Sequence, residues 1–310
     1  MTTTTNTSET QTSEAIVYNT RRPDRVQGPV QVPRPSLEGY KHIRLTPLTP
    51  GIGTEVSNIA LGAPIAEATF DEVNRALLDW KVLVFRDQHI DANAQIAFAN
   101  HWGEVEEHPF IASGAQARTQ RFEKGPDVRG YENEWHTDNT WRLLPSLASV
   151  LRAIEVPPVG GDTLFADMAA AYDNLPDGLQ QRLEGLVAEH DWIHVFGLAM
   201  DDDRKAALRD KYPIVRHPVV RTHPETGRKT LFVNTNFTRR ILDIDPTEGN
   251  ALLHLLYQQA DRPEIQCRVR WQQGTVVMWD NRAVQHYAAS DYYPERRIME
   301  RVAIVGDTPY

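Results

Sequence analysis

The hydrophobic positions of this chain change period several times, and each change predicts an element. Ile43-Arg44-Leu45 and residues 53–61 are short apolar clusters bounded by proline and glycine, as short strands are. Residues 70–80 set Val73, Ala76 and Leu77 at helical spacing behind Asp71, the expected cap. Residues 81–86 contain the unbroken run Val82-Leu83-Val84-Phe85 and predict a buried strand. Asp91 then caps a second helix carrying Ile96, Phe98 and Trp102. Residues 103–134 lose all period and read as a loop. Long loops in compact domains are usually functional or disordered, and this one leads into His136, as a lid or pocket wall would.

Beyond that loop, residues 148–154 predict a strand, Pro157 to Asp162 a turn, and Thr163-Leu164-Phe165 the start of another strand. Residues 167–190 look like two helical pieces around Pro176, with Leu179, Leu183 and Leu186 on one face. Residues 201–211 form a highly charged surface helix or insert. A hairpin joins 215–221 to 230–234 through Pro224-Glu225-Thr226-Gly227, and residues 246–260 are helical. Cys267, Val269 and Trp271 alternate ahead of a Gly274 turn, and strands at 276–279 and 298–304 complete the pattern. Many short strands with helices between them imply a mainly β chain with inserted helices. The expectation is one antiparallel, barrel-like or jelly-roll domain over residues 37–310, with no internal repeat. Residues 1–36 are rich in Thr, Ser, Pro and Arg and have almost no apolar period, so they are expected to be a mostly disordered tail.

Composition narrows the function classes. With 310 residues and 41% hydrophobic positions the chain can bury a sizeable core. A net charge of −9 argues against nucleic-acid or anionic-membrane partners, leaving small molecules. Cys267 is the only cysteine, so no internal disulfide forms. No apolar run approaches the roughly 18 residues of a membrane span, and no leader pattern is visible, so the cytoplasm is the expected location.

The chemistry centres on Trp135-His136-Thr137-Asp138. In an extended segment alternate side chains share a face, so His136 and Asp138 offer two legs of a metal site. Other pairs have simpler explanations. His89-Ile90-Asp91 precedes a helix that Asp91 caps, and His223-Pro224-Glu225 sits in a hairpin turn. His190 and His194 have helical spacing, but Asp191 stands where a zinc-peptidase helix needs Glu. A third leg is available in His286, which follows an apolar strand and a polar turn. Two histidines and a carboxylate leave three positions open on an octahedral metal, which suits Fe(II) handling O2 and a chelating cosubstrate. Arg297, eleven residues on, would hold a dicarboxylate bidentately. A metal-binding protein without turnover and a zinc hydrolase also fit the triad, although the hydrolase gives Arg297 no work. Serine-nucleophile and phosphate-loop motifs are absent.

Taken together, Trp135-His-Thr-Asp, Gly160-Gly-Asp-Thr-Leu, Trp279-Asp-Asn-Arg with His286, and Arg296-Arg-Ile-Met-Glu-Arg301 resemble the TauD/TfdA (taurine dioxygenase) family of Fe(II)/2-oxoglutarate-dependent dioxygenases. The hairpin at 216–238 carries the likeness further, and it extends over residues 40–310. The resemblance implies a double-stranded β-helix (jelly-roll, cupin-like) core and a homo-oligomer, dimer or tetramer. It implies that His136, Asp138 and His286 ligate Fe(II), and that Thr163 and Arg297 hold 2-oxoglutarate. O2 would be consumed, a substrate C–H bond hydroxylated, and succinate and CO2 released. Arg301 would hold the acidic head of the substrate, His108 a sulfonate, and Phe237 would form an aromatic wall. Ile111 replaces a family Tyr, and Glu132 or Asn133 a substrate-binding Asn. A taurine-like sulfonate is thus one candidate beside alkyl sulfates, phenoxyacids, phosphonates and amino-acid-derived metabolites. Trp279 is expected to pack.

Overall fold

The computed structural model describes residues 30–111, 114, 116–130 and 133–310. In chain order the first strands are β1 (Arg44–Pro47), β2 (Thr54–Ser57), β3 (Val82–Phe85), β4 (Gln120–Lys124), β5 (Ser146–Glu155) and β6 (Thr163–Asp167). Next come β7 (Val187–His190), β8 (Val215–Pro218), β9 (Val220–Thr222), β10 (Lys229–Leu231) and β11 (Thr238–Ile241). The last are β12 (Gln266–Val269), β13 (Val276–Asp280), β14 (Val284–Ala288) and β15 (Arg297–Val305). The helices are α1 (Glu67–Trp80), α2 (Ala92–Ala99), α3 (Met168–Asp173), α4 (Asp177–Leu183), α5 (Ile193–Phe196), α6 (Asp202–Lys211) and α7 (Pro246–Tyr257). None of them is long and apolar enough to cross a membrane.

A seven-stranded sheet runs β1-β2-β3-β13-β5-β15-β4, antiparallel except where β2 meets β3. Facing it is a three-stranded sheet, β12-β6-β14, and together they form the jelly-roll core. Val82 and Val84 of β3 point between the sheets, with Val277, Trp279, Phe165 and Met299. Leu83 and Phe85 point outward, onto a second cluster with Val73, Leu77 and Trp80 of α1 and Phe98 of α2. A strand covered on both faces has no need of polar alternation, which accounts for the unbroken run at 82–85. A third sheet, β11-β7-β8, and the β9–β10 pair pack with α3 and α7 around Leu183, Val219, Leu231 and Leu256.

Several expectations need correction. Residues 103–134 contain a strand, β4, paired along β15 from Lys124↔Arg297 to Gln120↔Arg301. Residues 187–190 are strand, not helix, and β11 was not anticipated. Asp71 does not cap α1, whose N-cap Ala66 makes no side-chain bond. The neighbouring Glu72 has the structural role, its carboxylate accepting from the N–H groups of Lys41, His42 and Ile43 at 2.7, 2.9 and 3.1 Å. Burial opposes the charge, but those three N–H groups hold its pKa below the usual range. Asp91 caps α2 as expected, accepting from Ala94 N–H at 2.8 Å, while Trp102 lies in the turn beyond the helix. Residues 1–29 of the expected tail lie outside the described residues; within 30–36, Gln31 exchanges two backbone hydrogen bonds with the Asn174 side chain, at 2.7 and 2.8 Å.

Candidate active site

The metal-ligating residues meet where a bridge forms outside the named strands. His136 N–H donates to His286 C=O at 3.0 Å, and His286 N–H returns a bond to His136 C=O at 2.8 Å. This pairing ties the Trp135–Asp138 segment to β14 and fixes two imidazoles side by side, centroids 4.2 Å apart. Just after Asp138 the chain turns through Asn139, which is in the left-handed region at φ 56°. Asp138 Oδ1 lies 3.8 Å from His136 Nε2 and 3.9 Å from His286 Nε2. Ligand atoms of the three residues all fall within 4.8 Å of one another, too far apart to bond each other and close enough to share one ion.

The protonation states suit a metal. His136 Nδ1 lies 2.8 Å from Glu134 C=O, which can only accept, so Nδ1 carries a proton and Nε2 is the nitrogen placed to ligate. Burial, with help from His136 and Arg301 and against Asp138, pushes the His286 pKa down to about 3, so that ring is neutral. His286 Nδ1 is buried with no hydrogen-bond partner among the described residues. Burial works to raise the Asp138 pKa, but Arg301, both imidazoles and Ser149 hold it well below the usual carboxylate range. Two imidazoles and an ionised carboxylate make up the ligand set of a 2-His-1-carboxylate iron site, and these residues fit that group.

Asp138 is also held from behind. Ser149 Oγ donates to Asp138 Oδ2 at 2.9 Å and accepts from Asn281 Nδ2 at 3.0 Å. Asn281 Oδ1 in turn accepts from Trp279 Nε1 at 2.9 Å, so Trp279 does more than pack. Ser149 and Asn281 were not singled out from the sequence. A serine inside an apolar strand gives no signal, whereas Asn281 stands within the Trp279-Asp-Asn-Arg motif.

Two cavities flank the triad. The inner one, about 80 Å³, is lined by His136, His286, Thr163, Arg297, Arg301, Trp279 and Tyr292. Strand register accounts for this grouping. Ala288↔Thr163 and His286↔Phe165 pair across β14 and β6, so Thr163 and His286 share a face, while Arg297, Met299 and Arg301 alternate inward along β15. Thr163 Oγ1 accepts from Trp271 Nε1 at 3.0 Å, which leaves the hydroxyl proton to donate elsewhere. Arg297 Nε donates to Gly161 C=O at 3.2 Å. Gly161 sits at φ +68°, and a Cβ there would lie 3.1 Å from Arg297 Cδ and 3.2 Å from Tyr292 Cδ1. Only glycine lets the turn press this closely on the arginine.

The outer cavity, about 480 Å³, is lined by His108, Ile111, Phe237 and Arg301 of the expected substrate residues, and by Phe110, Phe196, Lys124, Glu123 and Glu134 besides. His136 and Arg301 line both cavities. Arg301 Nη1 donates to Asp138, and its guanidinium carbon lies 5.1 Å from the Phe122 ring centre. His108 has both ring nitrogens engaged. Nδ1 lies 3.2 and 3.1 Å from the N–H groups of Phe110 and Ile111, so it accepts, and Nε2–H donates to Asn139 Oδ1 at 3.1 Å. Asn139 Nδ2 is committed to Glu106 and Ser146, which fixes the amide's orientation. Burial, with Arg301 and Arg142, lowers the His108 pKa to about 3. His108 thus lines the outer cavity with both of its ring nitrogens bonded within the protein. Glu132 lies outside the described residues.

Other histidine pairs fall away from chemistry. His190 ends β7 and His194 sits in α5, so they share no helix. His223 Nε2 is bonded to Asp280 at 2.9 Å in a buried network with Arg282.

Comparisons with known proteins agree with this geometry. A profile of the taurine catabolism dioxygenase TauD, TfdA family matches residues 44–303. The chain is 35% identical over 276 residues to an alkylsulfatase of Acinetobacter baylyi, covering 86% of this chain and 86% of that one. It is 34% identical over 280 residues to an alpha-ketoglutarate-dependent 2,4-dichlorophenoxyacetate dioxygenase of Cupriavidus pinatubonensis, covering 84% and 97%. Among solved structures it is similar to a taurine dioxygenase from Burkholderia xenovorans, with a TM-score of 0.75 and 32% identity, covering 87% of this chain and 93% of the other.

Proposed function

The chain belongs to the TauD, TfdA family and is a 2-oxoglutarate-dependent non-haem iron dioxygenase using Fe(II), 2-oxoglutarate and O2, and we propose that it hydroxylates a C–H bond in an anionic substrate with an apolar body. One observation carries the proposal: Arg301, bonded to Asp138 of the triad, lines both cavities, and the outer one is also lined by Phe110, Phe196 and Phe237. His136, Asp138 and His286 would hold Fe(II), which supplies O2 activation and the oxidative decarboxylation of 2-oxoglutarate to succinate and CO2. Thr163 and Arg297 would bind the carboxylates of 2-oxoglutarate in the inner cavity, the arginine as a bidentate clamp. Arg301 would place the substrate's anionic head so that a neighbouring C–H bond faces the triad. Phe110, Ile111, Phe196 and Phe237 would cover the body and exclude water.

Such a wall suits an alkyl or aryl group better than the ammonium end of taurine. Its chemistry accords with the names of two relatives, an alkylsulfatase and a 2,4-dichlorophenoxyacetate dioxygenase. A matched panel tests the proposal: alkyl sulfates, phenoxyacids, alkyl sulfonates, phosphonates, taurine and amino acids, with succinate and oxidised product measured together. Coupled turnover is expected for an anion with an alkyl or aryl body. Coupled turnover confined to taurine or to amino acids would overturn it.

A further inference from the structure

The strand that the sequence hid, β4, does more than wall the cavities. Its residues Gln120, Phe122 and Lys124 alternate onto one side, and Gln120 is the register partner of Arg301. Gln120 is 2% exposed, and its Oε1 accepts from Arg301 Nε at 2.8 Å. Phe122 lies beside the same guanidinium. Two other buried arginines are held by carboxylates: Arg221 by Asp307, and Arg282 by Asp280 and Glu225. Arg301 is held at Nε by a neutral amide, and its carboxylate partner among the described residues is Asp138, itself one of the metal-ligating three.

That difference has a chemical consequence. A carboxylate at position 120 would orient the guanidinium equally well, but it would cancel the charge an anionic ligand needs. An amide orients the guanidinium without adding a second negative charge to that of Asp138. Gln120 Nε2 is also buried without a partner among the described residues, so the position carries a desolvation cost that an apolar residue of similar length would avoid. Resting on the reading of Arg301 as the substrate's counter-ion, we infer that Gln120 is a positioning residue and sets anion specificity: it aims Arg301, which lines both cavities, and adds no negative charge beyond that of Asp138 to compete with the substrate head.

Calorimetry on Fe(II)- and 2-oxoglutarate-loaded enzyme without O2 tests this, with hexyl sulfate and phenoxyacetate as anionic probes and hexan-1-ol as the neutral one. Gln120→Glu keeps the contact and adds the cancelling charge. It should weaken the better-binding anion by about tenfold or more, the scale of one charge-assisted contact. Gln120→Met keeps the charge and loses the aim, and should weaken it by about threefold to tenfold. Both variants should bind hexan-1-ol and 2-oxoglutarate as the wild type does. Anion binding within about twofold of wild type in both variants, with Arg301→Met losing it, overturns the role of Gln120 alone. Equal loss of 2-oxoglutarate and anion also overturns it, since that is a folding effect. If Arg301→Met binds the anions unchanged, or the wild type binds neither, the reading of Arg301 fails and takes the inference with it.

Discussion

Replacing Gly161 by alanine should weaken 2-oxoglutarate binding while leaving the metal in place. Two effects add. At φ +68° an alanine pays roughly 1–2 kcal/mol for the left-handed backbone, offset in part by about 0.4–1 kcal/mol from a less flexible unfolded chain. The new Cβ would also stand 3.1 Å from Arg297 Cδ and 3.2 Å from Nε. Arg297 must then retreat by a few tenths of an ångström, straining its bond to Gly161 C=O, now 3.2 Å. A bidentate clamp tolerates such displacement poorly, so a loss of about 1–2 kcal/mol in cosubstrate binding is expected, or roughly fivefold to thirtyfold. Succinate formation measured against 2-oxoglutarate concentration should show KM rising by about tenfold with kcat at saturation within about twofold. Iron affinity should stay unchanged, because none of the three ligating residues touches Gly161. A KM within about twofold of wild type, or a fall in kcat with KM unmoved, would refute the assignment of Arg297 to the cosubstrate.

Three further outcomes follow from other contacts. Ser149→Ala removes the donor to Asp138 Oδ2 at 2.9 Å and should lower metal affinity by about 10–100-fold in a chelator competition; unchanged affinity would show that Asp138 needs no support. Trp271→Phe removes the donor that anchors Thr163 Oγ1 at 3.0 Å and should raise KM for 2-oxoglutarate by about threefold to tenfold, with kcat preserved. His108 and His217 have pKa values pushed down to about 3 and about 4, chiefly by burial, so both are neutral when folded and take a proton when unfolded below about pH 6.5. Their stabilisation is complete above that pH and is lost as pH falls, by about 1–2 kcal/mol each at pH 5; a urea midpoint that does not drop between pH 7 and 5 would contradict this.

How much of this could be read in advance depended on what each residue faces. The run at 82–85 was legible because both its faces are apolar, and its burial needs no partner to be guessed. His136, Asp138 and His286 were legible as residue types, and the bridge between the two histidine backbones is what makes them a site. β4 was hidden for the opposite reason. Gln120-Arg121-Phe122-Glu123-Lys124 turns Gln120, Phe122 and Lys124 toward Arg301 and the cavities, so its inward face is largely polar and carries no apolar alternation. Asp71 resembled a cap by type and position, yet the helix starts earlier, at Glu67, because nothing in 67–70 resists a helix. His108 shows a third limit. Its place in the outer wall was anticipated, but the capture of both its nitrogens by Asn139 and two backbone N–H groups depends on a loop conformation that no residue pattern announces.

The central claim is that His136, Asp138 and His286 hold the iron that couples 2-oxoglutarate to substrate oxidation. Its most direct test is substrate-dependent succinate release from Fe(II)-loaded wild type and from His136→Ala, using a substrate identified from the panel. The wild type should bind about one Fe(II) per chain and release succinate with substrate, and His136→Ala should release none above background. Full succinate release by His136→Ala, or activation of the wild type by zinc in place of iron, would contradict it.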